Sequence, residues 1–127
     1  MIIRRASAQQ TGREAEQLAR TYLERQQRMR LLHQNWSCRR GELDLVMLDG
    51  DTVVFVEVRS RRHQAWGGAL ESVDARKRQR LIAAAEHFLQ REARWSRHPC
   101  RFDVIAVQLP AGDTPAQLNW IQNAFDT

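Results

Sequence analysis

Several things are scarce in this chain, and each scarcity excludes something. Cysteine occurs twice, at Cys38 and Cys100, too few and too far apart for a disulfide framework. His98 and Cys100 make too weak a pattern for zinc without two further ligands. No window approaches the ~20 apolar residues that a membrane-spanning helix needs. The start, MIIRRASAQQ, has no apolar run resembling a signal peptide. Repeats and low-complexity tracts are absent. These absences imply a soluble protein of a reducing, cytoplasmic compartment with no membrane partner. Lysine is scarcest: of 20 basic side chains only Lys77 is lysine, the rest being arginine.

What is present is a basic, moderately apolar chain. At 127 residues and 43% hydrophobic content it is expected to be a single domain over residues 1–127, with a core of its own and flexible ends at 1–11 and 124–127. Its net charge of +5 suggests an anionic partner such as nucleic acid.

Apolar positions Ala15, Leu18, Ala19, Tyr22 and Leu23 follow helical spacing and predict a first helix over about Gly12 to Gln27. A short strand over MRLLHQNW follows. Glu42–Leu48 and Val53–Arg59 then read as a hairpin through DGDT. Asp74 is the expected N-cap of a second helix that buries Leu81, Ile82, Ala85, Phe88 and Leu89. RFDVIAVQL is a further strand, and QLNWIQNAF a last short strand or tail. Leu43, Leu45 and Met47 on one face and Val46 and Leu48 on the other make the hairpin apolar on both sides. Helices should therefore cover both faces of the sheet, giving an α/β or α+β sandwich.

Three acids interrupt this apolar hairpin. Alternation puts Glu42 and Asp44 on one face, and Glu57 with Arg59 likewise. If Asp49–Thr52 form the loop, Leu48 pairs with Val53, Asp44 falls opposite Glu57, and Glu42 opposite Arg59. A two-residue turn would shift the pairing by two positions and keep the parity. Opposed carboxylates repel unless a cation lies between them, and Mg²⁺ or Mn²⁺ prefers such oxygen ligands. The competing arrangement is ion pairing of Glu42 and Glu57 with Arg59, Arg39 or Arg61 at the sheet's end.

Asp44, Glu57 and Arg59, an acid on one strand and then acid-x-basic on the next, resemble the PD-(D/E)xK nuclease pattern. TGREAEQLARTYL, QNWSCRRGELDLV, VVFVEVRSRR, WGGALESVDARKRQRLIAAAEHFL and CRFDVIAV resemble, in order and spacing, the YraN family (UPF0102), itself similar to archaeal Holliday-junction resolvases. The resemblance implies a restriction-endonuclease-like αβββαβ core with a mixed sheet flanked by helices. It implies a metal-dependent endonuclease acting on DNA, branched DNA included, and a homodimer. By position, Asp44, Glu57 and the carbonyl of Val58 would hold Mg²⁺ or Mn²⁺, and Glu16 would match the first-helix acid. Two departures stand out: Arg59 replaces the usual motif lysine, and Ala15 replaces a glycine. Arginine keeps the charge but cannot act as a base. Lys77, at the start of the second helix, is a substitute candidate, although a solvated cation is the plainer reading of it.

Arg76, Lys77, Arg78 and Arg80 crowd a helix N-terminus, where the macrodipole disfavours cations by roughly 0.3–1 kcal/mol each; a bound phosphate would reverse that. Arg39 and Arg40 form an exposed basic turn, and Arg61, Arg62, His63 and Trp66 add basic and aromatic groups suited to nucleic acid. DNA is the favoured partner and RNA the weaker one. A non-catalytic nucleic-acid-binding or partner-docking module that keeps the nuclease fold is the alternative.

Overall fold

A computed structural model describes residues 8–61 and 72–127. In chain order the elements are α1 (Ala8–Arg25), β1 (Arg30–Cys38), β2 (Gly41–Asp49), β3 (Thr52–Arg61), α2 (Ala75–Arg91), β4 (Cys100–Gln108) and β5 (Gln117–Phe125), with a short 3-10 turn at Ala93–Trp95. The five strands form one sheet in the order β1-β2-β3-β4-β5. All neighbours are antiparallel except β3 and β4, which run parallel, as the intervening α2 allows. This is a mixed α/β fold consistent with a restriction-endonuclease-like core, extended by β5.

The helices take opposite faces. Ala15, Ala19 and Leu23 of α1 pack with Leu45, Met47, Val54, Val56, Ile105 and Val107. The alanines let the helix axis approach the sheet closely. On the other face Leu81, Ala84, Ala85 and Phe88 of α2 pack on Val46, Val53, Phe55, Phe102 and Val104. Phe88 is fully buried and meets Phe55, Trp36 and His33 edge-on at 5.9, 5.4 and 5.3 Å. Truncating such a ring costs ~3–5 kcal/mol. Asp74 caps α2 as expected, its Oδ1 accepting the Lys77 backbone N–H at 2.9 Å.

The structure departs from the sequence reading in several places. Helix α1 begins at Ala8 and ends at Arg25. In α2, Ala84 is buried while Ile82 and Leu89 are only partly so. The hairpin pairs Leu48 with Val53 as expected, yet Asp49 pairs with Thr52 too. A two-residue Gly50-Asp51 turn, with Gly50 at φ +62°, therefore gives that register without a shift. Strand β5 reaches Phe125, whose buried ring stacks on Phe102 at 4.8 Å.

The last departure concerns β2. Leu43 packs in the α2-side cluster with Val46, while Leu45 and Met47 pack on the α1 side. Strict alternation, which put Leu43 with Leu45 and Glu42 with Asp44, is thus broken around Asp44. Across from it, β1 carries a register shift between Leu31 and His33, and Asn35 in the left-handed region at φ +54°. Irregularities of this kind bend a strand and re-aim its side chains.

Candidate metal centre and basic clefts

The acidic site lies where β2 leaves β3. Their last ladder pair is Leu45 with Val56, and one step further Asp44 reaches Glu57 through its side chain. Asp44 Oδ2 accepts the backbone N–H of Val58 at 2.9 Å. Within a strand the N–H and C=O of one residue point the same way, so the Val58 carbonyl faces this gap as well. Glu57 alternates with Phe55 toward α2 and is 6% exposed.

The electrostatics of the pair are unsatisfied. The carboxyl of Asp44 is pushed up to about 8 by burial, and then by Glu57 as hydrogen-bond partner and as charge; the Val58 N–H and Lys77 pull the other way. The direction is that expected of a buried carboxyl beside a second one, where two negative charges would repel. Glu57 Oε2 is buried without a hydrogen-bond donor among the described residues. Lys77 Nζ approaches it to 3.4 Å, an ion pair lacking hydrogen-bond geometry.

Glu16 of α1 belongs to the same electrostatic neighbourhood. Its carboxyl is raised first by burial, then by Asp44 and Glu42, while the Asn35 side chain and Arg13 lower it. Among the described residues no three His, Cys, Asp or Glu side chains close into a metal cage. The donors that do converge, two carboxylates and a strand carbonyl, are hard oxygens that suit Mg²⁺ or Mn²⁺, ions that keep several positions for water and phosphate. The Glu57 oxygen, which among the described residues has the Lys77 ion pair and no hydrogen-bond donor, is the feature that fits a cation.

The basic candidates separate into three fates. Lys77 is brought to the carboxylates. Arg59 instead turns to the chain before α2: Nη2 donates to the Ser72 carbonyl at 3.1 Å, and Nε is buried without a hydrogen-bond acceptor among the described residues. Arg78 folds back, with Nε on the Val73 carbonyl at 2.8 Å and its guanidinium 5.4 Å from the centre of the Phe125 ring. It staples α2 to β5 and stands apart from the basic surface, because positions 76 and 80 share a helix face that 78 does not.

The remaining cations line two clefts. One, of about 380 Å³, is bounded by Arg39, Arg40, Glu42, Lys77 and Arg80; the other, of about 400 Å³, by Arg59, Ser72, Arg76, Lys77 and Arg80. Lys77 and Arg80 form the wall between them. Gly41 brings the β1–β2 turn against this wall: a Cβ there would sit 3.4 Å from the Arg80 carbonyl oxygen. Arg62, His63 and Trp66 lie outside the described residues, and Arg61 is described only as the last backbone position of β3.

Asn35 escaped the sequence reading; an asparagine in a strand opposite an acid is its only signal. Among the described residues no helix is long and apolar enough to cross a membrane.

Comparison with known proteins agrees with the motif order. The model of the family described as "Uncharacterised protein family UPF0102" matches residues 15–107. Similar proteins include a UPF0102 protein of Pseudomonas aeruginosa, 68% identical over 122 residues, covering 96% of this chain and 97% of the relative. Another, from Stutzerimonas stutzeri, is 62% identical over 122 residues, 96% of this chain and 99% of the relative. A third, from Pseudomonas syringae pv. syringae, is 61% identical over 125 residues, 98% and 100% of the two chains.

Proposed function

The chain belongs to the uncharacterised family UPF0102, whose names state no activity, and from its own site we propose that it is a divalent-metal-dependent endonuclease of DNA, branched DNA included. The observation that carries this reading is the buried Glu57 oxygen, without a hydrogen-bond donor among the described residues, set against Asp44 and beside Lys77. A carboxylate pair kept only for stability would be matched by donors.

Asp44, Glu57 and the Val58 carbonyl would hold Mg²⁺ or Mn²⁺, which supplies charge for a phosphoryl oxygen and activates water. The chain's own groups do the rest. Water attacks phosphorus and gives up a proton to solvent, negative charge grows on the phosphoryl oxygens, and the P–O bond to the sugar oxygen breaks as that oxygen takes a proton from solvent. Lys77, the cation nearest the carboxylates, offsets that charge, and Arg59 lines the adjoining cleft as a further donor. Glu16 assists from the α1 side by orienting water. Arg39, Arg40, Arg76 and Arg80 seat the phosphate backbone on either side.

The alternative, a binding module that has lost catalysis, draws on the turning of Arg59 toward Ser72. Labelled duplex, single-stranded, flapped and four-way DNA incubated with Mg²⁺ or Mn²⁺ separates the two readings. The nuclease reading expects cutting that disappears in Glu57→Ala and persists in Arg59→Lys. Retained DNA binding with no cutting by the native protein would leave the binding module standing.

A further inference from the structure

The cleft beside the carboxylates does not end at Arg80. A third cleft, also of about 380 Å³, shares Arg39 and Arg40 with it and continues to Ala83, Glu86, His87 and Gln90. Lys77, Arg80, Ala83, His87 and Gln90 follow one another at helical spacing, so a single face of α2 floors both. At 1.5 Å per residue this face runs ~20 Å away from the carboxylates.

Its chemistry changes along the way. The near half is cationic, with Lys77 and Arg80 facing Arg39 and Arg40. The far half carries the acid Glu86 with His87 and Gln90, and among the described residues lining it no cation beyond those two arginines of the turn. The His87 ring is held edge-on by Trp36 at 5.7 Å, and Trp36 is itself held edge-on by Phe88 at 5.4 Å.

Duplex DNA presents a phosphate charge every ~1.7 Å along its axis and would set phosphates against Glu86. A single strand leaves its bases free to turn inward. Aromatic faces beside a basic track are the ordinary way in which unpaired nucleic acid is held.

We propose that this groove binds an unpaired DNA strand leading away from the candidate centre. Phosphates rest on Arg80, Arg39 and Arg40, and an unpaired base lies against His87 with its edge toward Gln90. The inference rests on the nuclease reading for its direction, since it makes the junction of paired and unpaired DNA the place where the carboxylates act.

The test is fluorescence anisotropy in EDTA, comparing a blunt duplex with the same duplex carrying a short single-stranded extension. The native protein is expected to favour the extended duplex by about fivefold or more, the lower end for one base on an aromatic side chain. His87→Ala and the exposed Gln90→Ala should reduce that preference and leave blunt-duplex affinity unchanged; Arg80→Ala should weaken both. Equal affinities in the native protein, or a preference untouched in both groove variants, overturns the proposal. If His87→Ala does not fold, Gln90→Ala decides. Because no metal is present, a protein that never cuts but keeps the preference contradicts the nuclease reading alone, and one that cuts without the preference contradicts this inference alone.

Discussion

Asp103 and Glu57 sit one ladder step apart on neighbouring strands, Asp103 beside Val56 and Glu57 beside Val104, and their surroundings differ. Asp103 is wholly buried. Its Oδ1 accepts from Arg101 Nε at 3.1 Å and from the Asn123 backbone at 2.9 Å, while Oδ2 accepts the Trp120 indole N–H at 2.9 Å. Arg101 is in turn held by Asp49 at 3.0 Å. Glu57, nearly as buried, has an oxygen with no donor among the described residues and a second carboxyl, Asp44, pressed on it. A buried charge with its donors complete pins β5 across the bulge between Phe102 and Val104. The one left incomplete is where the proposed cation would bind.

That contrast is broken most strongly by removing each acid in turn. Asp103→Ala takes the acceptor from the Trp120 indole and Asn123 backbone N–H groups and leaves Arg101 with Asp49 alone, and should cost ~1–3 kcal/mol of stability in urea unfolding. Glu57→Gln removes a charge that repels Asp44 and should be neutral or stabilising in EDTA. Equal losses for the two would erase the distinction between them.

The next effect concerns the cations. Lys77→Ala should lower metal-dependent cleavage by ~10²–10³-fold, as removal of a preorganised charge-stabilising donor does. Arg59→Ala should cost less, because its guanidinium is engaged with Ser72. A larger loss in Arg59→Ala would return the motif role to Arg59.

A separate effect is on pH-dependent stability. Asp44 has an ordinary value of 3.8 when unfolded and about 8 when folded. Between those values the folded protein holds a proton that the unfolded chain releases, so metal-free stability should fall as pH rises from about 4 to about 8. Glu16, also raised, adds in the same direction. Asp44→Asn should flatten most of the slope in thermal melts; an unchanged slope would place the proton elsewhere.

Much of this was legible in the sequence because it is local. The Asp-Gly turn and two apolar runs determine the Leu48–Val53 register, and that register brings Asp44 to Glu57. The Asp74 cap is equally local. The rest depends on contacts between distant segments. Asp103 reads as an unremarkable acid until Trp120 and Asn123 arrive from β5. The break in alternation at Leu43 depends on how β1 distorts at Asn35. Lys77 reads as a solvated cation from its own neighbours, and only the docking of α2 on the sheet carries it to Glu57. The same docking separates Arg78 from Arg76 and Arg80, although the three are adjacent in a basic run.

We propose that the Asp44–Glu57 pair is a cation site and not a strained pair of acids. Calorimetric titration with Mn²⁺ at neutral pH, repeated in buffers of different ionisation enthalpy, tests it most directly. Saturable binding with proton release is expected, since the ion displaces the proton held on Asp44, with loss of both in Asp44→Asn and Glu57→Gln. Absence of binding at millimolar Mn²⁺, or binding that survives both substitutions, would contradict it.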